Sequence, residues 1–149
     1  IKWKNFKSYG NIMQEMTFSP EGELSLIVGA NGNGKSALQN VIDYACYGQV
    51  KASNGKNAIL STLPNRINGD LYSEINFSTS SGNFHIERTM NPTRVKLVEN
   101  GITYPKAGKI QDKIEEHIGF DYNTYKSFIS MSINDFKNFT FSGQIESIY

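Results

Sequence analysis

Residues 24–48, LSLIVGANGNGKSALQNVIDYACYG, contain the stretch that decides the fold. Residues 25–28 are a short apolar run of the strand type. Residues 29–36 fit the pattern G-x-x-x-x-G-K-[ST], and the apolar residues after them recur at helical spacing until Gly48, where a helix would stop. Strand, glycine-rich loop and helix in this order are the context in which the pattern binds phosphate, so the sequence predicts a P-loop.

Each residue type in this loop suits a nucleotide. Glycine lets the backbone turn tightly and approach a ligand closely, because it has no Cβ. The backbone N–H groups and the positive end of the helix dipole favour an anion. We expect Lys35 to reach the β- and γ-phosphates as the catalytic lysine, and Ser36 to place its hydroxyl on Mg²⁺. An ordinary glycine-rich turn is the alternative, and the flanking strand and helix argue against it.

Composition sets broad limits. The chain has 149 residues, a net charge of +1 and a single cysteine. Its length favours one domain, and no apolar run approaches the roughly 20 residues that cross a bilayer. Cys46 lies on the apolar stripe of the helix, which indicates a buried thiol and suits a reducing, cytoplasmic compartment. The net charge alone gives no argument for nucleic acid.

Hydrophobic patterning then organises the first half of the chain. Residues 1–48 combine a β-layer, with strands expected at 1–8 and 15–19, with the P-loop and its helix. Residues 49–68 form a long basic loop, which either meets a polyanion or is simply solvated.

The second half begins with a different period. Residues 69–104 alternate between apolar and polar side chains, which predicts an antiparallel β meander with one solvated face. Its last turn is Asn100-Gly101, the strongest short hairpin signal. Residues 105–149 are expected to be mainly helical.

Two helices are predicted in that last region. The first covers residues 106–118 and ends at Gly119. The second runs from Tyr122 to about Ser132, with Asp121 as its N-cap. Three residues are expected on its apolar face: Tyr125, Phe128 and Ile129.

A P-loop ATPase also needs an acidic residue at the end of a second apolar strand to hold Mg²⁺. No such run occurs, because residues 24–28 are the only strongly apolar strand in the sequence. We therefore expect the chain to hold half of an active site. The other half would come from sequence beyond Tyr149 or from a separate chain.

The stretch from Val28 to Gly48 resembles the signature of the SMC-like ABC ATPases, which include the SbcC-type ATPase subunits of DNA double-strand-break repair nucleases. The likeness is strongest to the phage branch, the large subunits of recombination endonucleases. It spans nearly the whole chain. Further matching segments are Asn5-Phe6-Lys7-Ser8, Asn100-Gly101, and Ile118-Gly119-Phe120 ahead of Tyr125-Lys126.

This resemblance implies an α/β (α+β) fold, with residues 1–149 as the N-terminal lobe of an ABC-type P-loop ATPase head and a Q-loop region within 105–149. In the family a coiled coil follows, then a C-terminal lobe with the signature motif, the Walker B acid and a switch histidine. The implied partners are that C-terminal lobe or a second copy, a nuclease subunit of the Mre-eleven/SbcD type, and double-stranded DNA. The implied location is the cytoplasm, that of the host for a phage protein.

The resemblance also implies a cofactor, ATP with Mg²⁺, and a set of contacts to it. Lys7 and Ser8 match family residues near the phosphates. A family glutamine that completes the Mg²⁺ shell is replaced here, so Ser132 or Asn134 takes its place. The remaining matches are the P-loop residues Asn31, Gly32, Asn33, Gly34, Lys35, Ser36 and Ala37.

Three functions fit these features. The first is an ATP-driven clamp that closes on DNA ends and opens to expose them to a nuclease; a RecF- or SMC-type clamp without a nuclease belongs to the same class. The second is a P-loop kinase for a small molecule, against which the meander after the P-loop helix argues. The third is a nucleotide-binding module without hydrolysis.

Overall fold

The computed structural model describes residues 1–19, 21–52, 55–105 and 107–130, so Ser132 and Asn134 lie outside the described residues. Within that part an antiparallel sheet carries the helices on one face. The strands are β1 (Lys2–Lys4), β2 (Gln14–Glu15), β3 (Leu71–Thr79), β4 (Gly82–Met90), β5 (Arg94–Glu99) and β6 (Ile102–Thr103). The helices are α1 (Lys35–Tyr47), α2 (Ile110–Ile118) and α3 (Tyr122–Phe128), with short 3-10 helices at Leu60–Thr62 and Ala107–Lys109.

The sheet confirms the meander that the sequence predicts for residues 69–104. Its strand order is β2-β1-β3-β4-β5-β6, and all neighbouring strands are antiparallel. The last turn has φ of 49° at Asn100 and 83° at Gly101, the left-handed pair that a tight hairpin requires. β1 and β2 are shorter than the strands expected at 1–8 and 15–19, and β2 ends where the second was expected to begin.

The predicted helix ends are confirmed where a capping residue marks them. Gly48 and Gly119 end α1 and α2 in the left-handed conformation. Asp121 accepts a hydrogen bond from the Thr124 N–H at 2.8 Å, as an N-cap does. Phe128 and Ile129, predicted to be apolar-face residues, are instead mostly exposed, since α3 ends at Phe128 and buries Tyr122 against α1.

The core lies between the sheet and the helices. One cluster joins α1 to β1, β3 and the loop after α1, and its buried members are Trp3, Phe6, Leu38, Val41, Tyr44, Val50, Leu63, Leu71 and Met90. A second joins α2 to β4 and β5 through Phe84, Ile86, Leu97, Ile110 and Ile114. Cys46 is buried as predicted, and burial raises the pKa of its thiol to about 12. No helix among the described residues is long and apolar enough to cross a membrane.

The described part of the loop at 49–68 is more closely packed than its composition suggests. Val50 and Leu63 are fully buried, and the Leu63 carbonyl accepts the Lys7 N–H at 2.7 Å. A bridge between Phe6 and Pro64 fixes the same contact. The loop therefore supports the turn that follows β1.

The strand predicted at residues 25–28 does not form in the described structure. Residues 22–30 have no regular secondary structure. Leu24 is 100% exposed, Leu26 84% and Val28 78%. An apolar run of this kind is stable as a strand when neighbours cover both of its faces and take its backbone hydrogen bonds. No strand within the described ranges lies beside it, so the local propensity is not realised.

Candidate nucleotide-binding site

The glycine-rich loop leads directly into α1. Gly32 and Gly34 have φ of 87° and 84°, the left-handed region that side chains disfavour. A Cβ on Gly34 would also lie 2.8 Å from the Tyr9 ring. Glycine is therefore required at the last loop position for two independent reasons, conformation and space.

Lys35 folds back across this loop. Its Nζ donates hydrogen bonds to the carbonyl oxygens of Gly29 at 2.7 Å and Ala30 at 2.8 Å. Both bonds lie at the surface, so the ammonium is held at the mouth of the loop with access to solvent. A compact positive charge in this place is suited to binding phosphate oxygens.

The start of α1 offers the complementary donors. Its first hydrogen bond runs from the Leu38 N–H to the Gly34 carbonyl at 3.0 Å. The N–H groups of Lys35, Ser36 and Ala37 have no acceptor within the helix, as at every helix start. The first turn carries no acidic side chain, so nothing there competes with a bound anion. Together with the exposed Ser36 side chain, these groups fit a nucleotide phosphate chain with Mg²⁺.

The remaining loop residues are accessible. Asn31 and Asn33 have exposed side chains, and the Asn33 N–H bonds to the Ala30 carbonyl at 3.3 Å. This bond closes the tip of the loop as a turn.

Lys7 and Ser8 lie on a tight turn beside the P-loop. Asn5 and Lys7 both have positive φ, 53° and 50°. Tyr9, two residues after Lys7, donates a hydrogen bond from its hydroxyl to the Gly34 carbonyl at 3.2 Å. Burial lowers the pKa of Lys7, and the nearby Asp43 carboxylate opposes that shift. The contact between Tyr9 and Gly34 thus places the turn that carries Lys7 and Ser8 next to the P-loop, and their contact with a nucleotide stays a prediction.

A buried polar network that sequence reasoning missed lies under α1. The Asp43 side chain is fully buried and accepts a hydrogen bond from Lys126 Nζ at 3.1 Å. The same ammonium donates to Ser130 Oγ at 3.1 Å, and Gln39 Nε2 donates to that oxygen at 2.7 Å. The network joins the P-loop helix to α3 and Ser130. The only signal in the sequence is a carboxylate in a helix stretch, residues 41–47, that is otherwise apolar or aromatic.

The ionisation of Asp43 gives a pH prediction. Burial raises its pKa above the ordinary 3.8, and Lys126 only partly opposes the shift. The folded chain therefore keeps a proton on Asp43 at a pH at which the unfolded chain has lost it, so this group favours folding more as the pH falls. We expect wild type to gain stability relative to Asp43→Asn as the pH falls from the raised pKa toward about 4.

Chemical unfolding of both proteins across that range measures the difference. A carboxylate whose pKa is lowered by its ion pair would give the opposite slope. A difference that shrinks as the pH falls would therefore contradict the raised pKa.

Comparisons with known proteins agree with this geometry. The chain matches the AAA domain family over residues 1–148. A solved structure from work on ATP-driven dimerization and DNA-stimulated activation of SMC ATPases is similar, with a TM-score of 0.67 and 25% sequence identity. That match covers 93% of this chain and 87% of the other. No curated protein sequence is significantly similar. The chain belongs to the AAA domain family, as an SMC-like ABC ATPase with the fold of the N-terminal half of a P-loop ATPase head.

Proposed function

We propose that this chain is the ATP-binding half of an SMC-like ATPase head that dimerises on ATP and clamps DNA for end processing, repair or recombination with a nuclease partner. The observation that carries the ATP-binding part of the proposal is the position of the Lys35 ammonium, which lies across the glycine-rich loop at the start of α1. The similarity to an SMC ATPase studied for ATP-driven dimerization and DNA-stimulated activation supports it.

The residue roles follow from this proposal. Lys35 binds the β- and γ-phosphates, and the loop backbone from Asn31 to Ala37 cradles them. Ser36 binds Mg²⁺, with Ser132 or Asn134 completing its shell. Lys7 and Ser8 approach the phosphates from the turn beside the loop.

The proposal also gives a role to the exposed apolar run at residues 24–28. A second half of the head, on the same polypeptide or another, would pair with this run and bury it on both faces. The same second half would supply the acid that the P-loop needs for hydrolysis. ATP binding and ATP hydrolysis are therefore expected to be separable in this protein.

That separation can be measured with the chain itself. We expect it to bind Mg·ATP in calorimetry without releasing phosphate at a measurable rate, because Lys35 and Ser36 are present but the Walker B acid is not. Clear turnover by the pure chain, lost in Lys35→Ala, would contradict the split site.

DNA clamping is tested on the complete head that contains this chain. We expect duplex binding that requires ATP and weakens strongly between roughly 50 and 200 mM salt, since phosphate contacts release counterions. Fluorescence anisotropy with labelled duplex measures both effects, and Lys35→Ala in the same head is the control. Affinity that ignores ATP and salt, together with phosphoryl transfer to a small molecule, would favour the kinase instead.

The nuclease partner is a separate question. We expect a nuclease of the Mre-eleven/SbcD type to cleave DNA ends faster with the ATP-competent head than with the Lys35→Ala head. An ATP-dependent clamp with no effect on any such nuclease would favour the RecF- or SMC-type alternative.

A further inference from the structure

Tyr9 contacts the P-loop at Gly34, the last loop residue before α1. Its hydroxyl donates to the Gly34 carbonyl at 3.2 Å, and that oxygen also accepts the Leu38 N–H that begins α1. The Tyr9 ring lies so close to Gly34 that a Cβ there would be 2.8 Å away. The Tyr9 hydrogen bond and the Tyr9 ring therefore both contact Gly34, the residue that precedes α1.

Tyr9 is itself firmly held from the other side. Its ring meets the buried Trp3 ring edge to face, with the centroids 5.3 Å apart. Its N–H bonds to the Phe6 carbonyl at 2.9 Å. The turn that carries it is fixed by Asn65, whose side chain donates to the Lys7 carbonyl at 2.9 Å. Tyr9 thus connects a rigid part of the core to a loop that is otherwise exposed.

We propose that Tyr9 is a positioning residue for nucleotide binding, which holds Gly34 and the first turn of α1 in the conformation that receives phosphates. The inference rests on the proposed function. Tyr9 acts through Gly34, whose neighbouring N–H groups meet the phosphate chain and not the base or ribose. Its effect should therefore be the same for any ligand with the same phosphate chain.

Tyr9→Phe tests this with the full chain, because it removes the hydroxyl and keeps the ring on Trp3. We expect its affinity for Mg·ATP to fall about threefold to tenfold, the worth of one neutral hydrogen bond. Inorganic tripolyphosphate with Mg²⁺ should lose affinity by the same factor. Calorimetry measures both ligands, and thermal unfolding checks that the variant stays folded.

Tyr47→Phe is the matched control. Its hydroxyl also donates to a backbone carbonyl, that of Phe120 at 3.3 Å, but Tyr47 ends α1 far from the loop. We expect it to leave the affinities for both ligands unchanged, whatever it does to stability. Equal losses in the two variants would mean that a tyrosine hydroxyl bond matters only for folding, and would overturn the inference.

Three further results separate this inference from the proposed function. If wild type binds both ligands and Tyr9→Phe binds them equally well, the positioning role is wrong and the P-loop assignment stands. If Tyr9→Phe weakens ATP but not tripolyphosphate, Tyr9 touches the base or ribose directly and the inference is again wrong. If wild type binds neither ligand, the proposed nucleotide binding is wrong, and the inference that rests on it is wrong as well.

Discussion

Lys35→Ala is expected to abolish ATP binding at ordinary concentrations. The Nζ of Lys35 lies within 2.8 Å of the loop carbonyls of Gly29 and Ala30, so it lies at the loop that we propose to bind the phosphates. Two charge-assisted hydrogen bonds are together worth about 3 kcal/mol or more, which corresponds to an affinity loss of about 100-fold. Isothermal calorimetry with Mg·ATP measures the loss.

The variant should fold normally, because the Lys35 bonds lie at the surface and no buried group depends on them. Lys96→Ala is the matched control, since Lys96 is an exposed lysine on β5 at the outer face of the sheet. We expect the control to bind ATP as wild type does. Unchanged ATP affinity in Lys35→Ala would remove the P-loop assignment.

Arg88→Met is expected to destabilise the fold by about 3 kcal/mol. Arg88 is buried on β4 and lies at the C-terminal end of α1. Its Nε donates to the Ala45 carbonyl at 2.9 Å and its Nη2 to the Cys46 carbonyl at 3.3 Å, and it also bonds to Gln111 on α2. The guanidinium thus satisfies the last carbonyls of the P-loop helix and lies at the negative end of its dipole.

Methionine keeps much of the apolar stem but donates no hydrogen bond. The Ala45 carbonyl would lose its Arg88 partner, and the Cys46 carbonyl would keep only the bond from Gln111 Nε2 at 3.5 Å. A buried carbonyl left unpaired costs about 1–3 kcal/mol. Burial already lowers the pKa of the Arg88 guanidinium, so removing that charge returns part of its desolvation cost. These opposing effects lead us to expect about 3 kcal/mol rather than the full sum of the lost bonds.

Urea unfolding measures this loss of stability. Arg94→Met is the control, because Arg94 is exposed and pairs with Thr89 on the neighbouring strand; we expect a change within about 0.5 kcal/mol. Folded Arg88→Met should still bind ATP within about threefold of wild type, because α1 separates Arg88 from the loop by about 20 Å. Equal stability of Arg88→Met and Arg94→Met would show that the buried bonds contribute nothing.

Features encoded by a few adjacent residues could be predicted from the sequence. The Asn100-Gly101 hairpin and the Asp121 cap depend on local backbone preference, and the structure has both. The alternation of apolar and polar residues predicted the meander. A strand shifted by one residue relative to its neighbour would turn its apolar side chains to solvent, so this pattern also specifies the register. The P-loop was predicted from its own eight residues, the apolar run before them and the helix after them, and of these two flanking elements the structure has the helix.

Features that depend on distant partners could not be predicted. Asp43 and Lys126 are 83 positions apart, and their pairing exists only because α3 packs on α1. In the sequence, Arg88 is one of several alternating strand residues. Its role depends on the C-terminal end of α1, which packs against it in the folded chain. For the apolar run at residues 24–28, the sequence predicted a strand that the structure lacks. Strong strand propensity does not form a strand without neighbouring strands to accept its hydrogen bonds.

The sequence by itself determined that this protein carries a glycine-rich P-loop ahead of a helix, an antiparallel meander and capped helices, because each is specified by short-range backbone and side-chain chemistry. Only the tertiary structure decided that Tyr9 lies on Gly34, that Asp43 is buried with Lys126, and that the most apolar run is exposed. Such contacts depend on which faces meet across the core, and burial energy is settled by the whole packed arrangement rather than by any one segment.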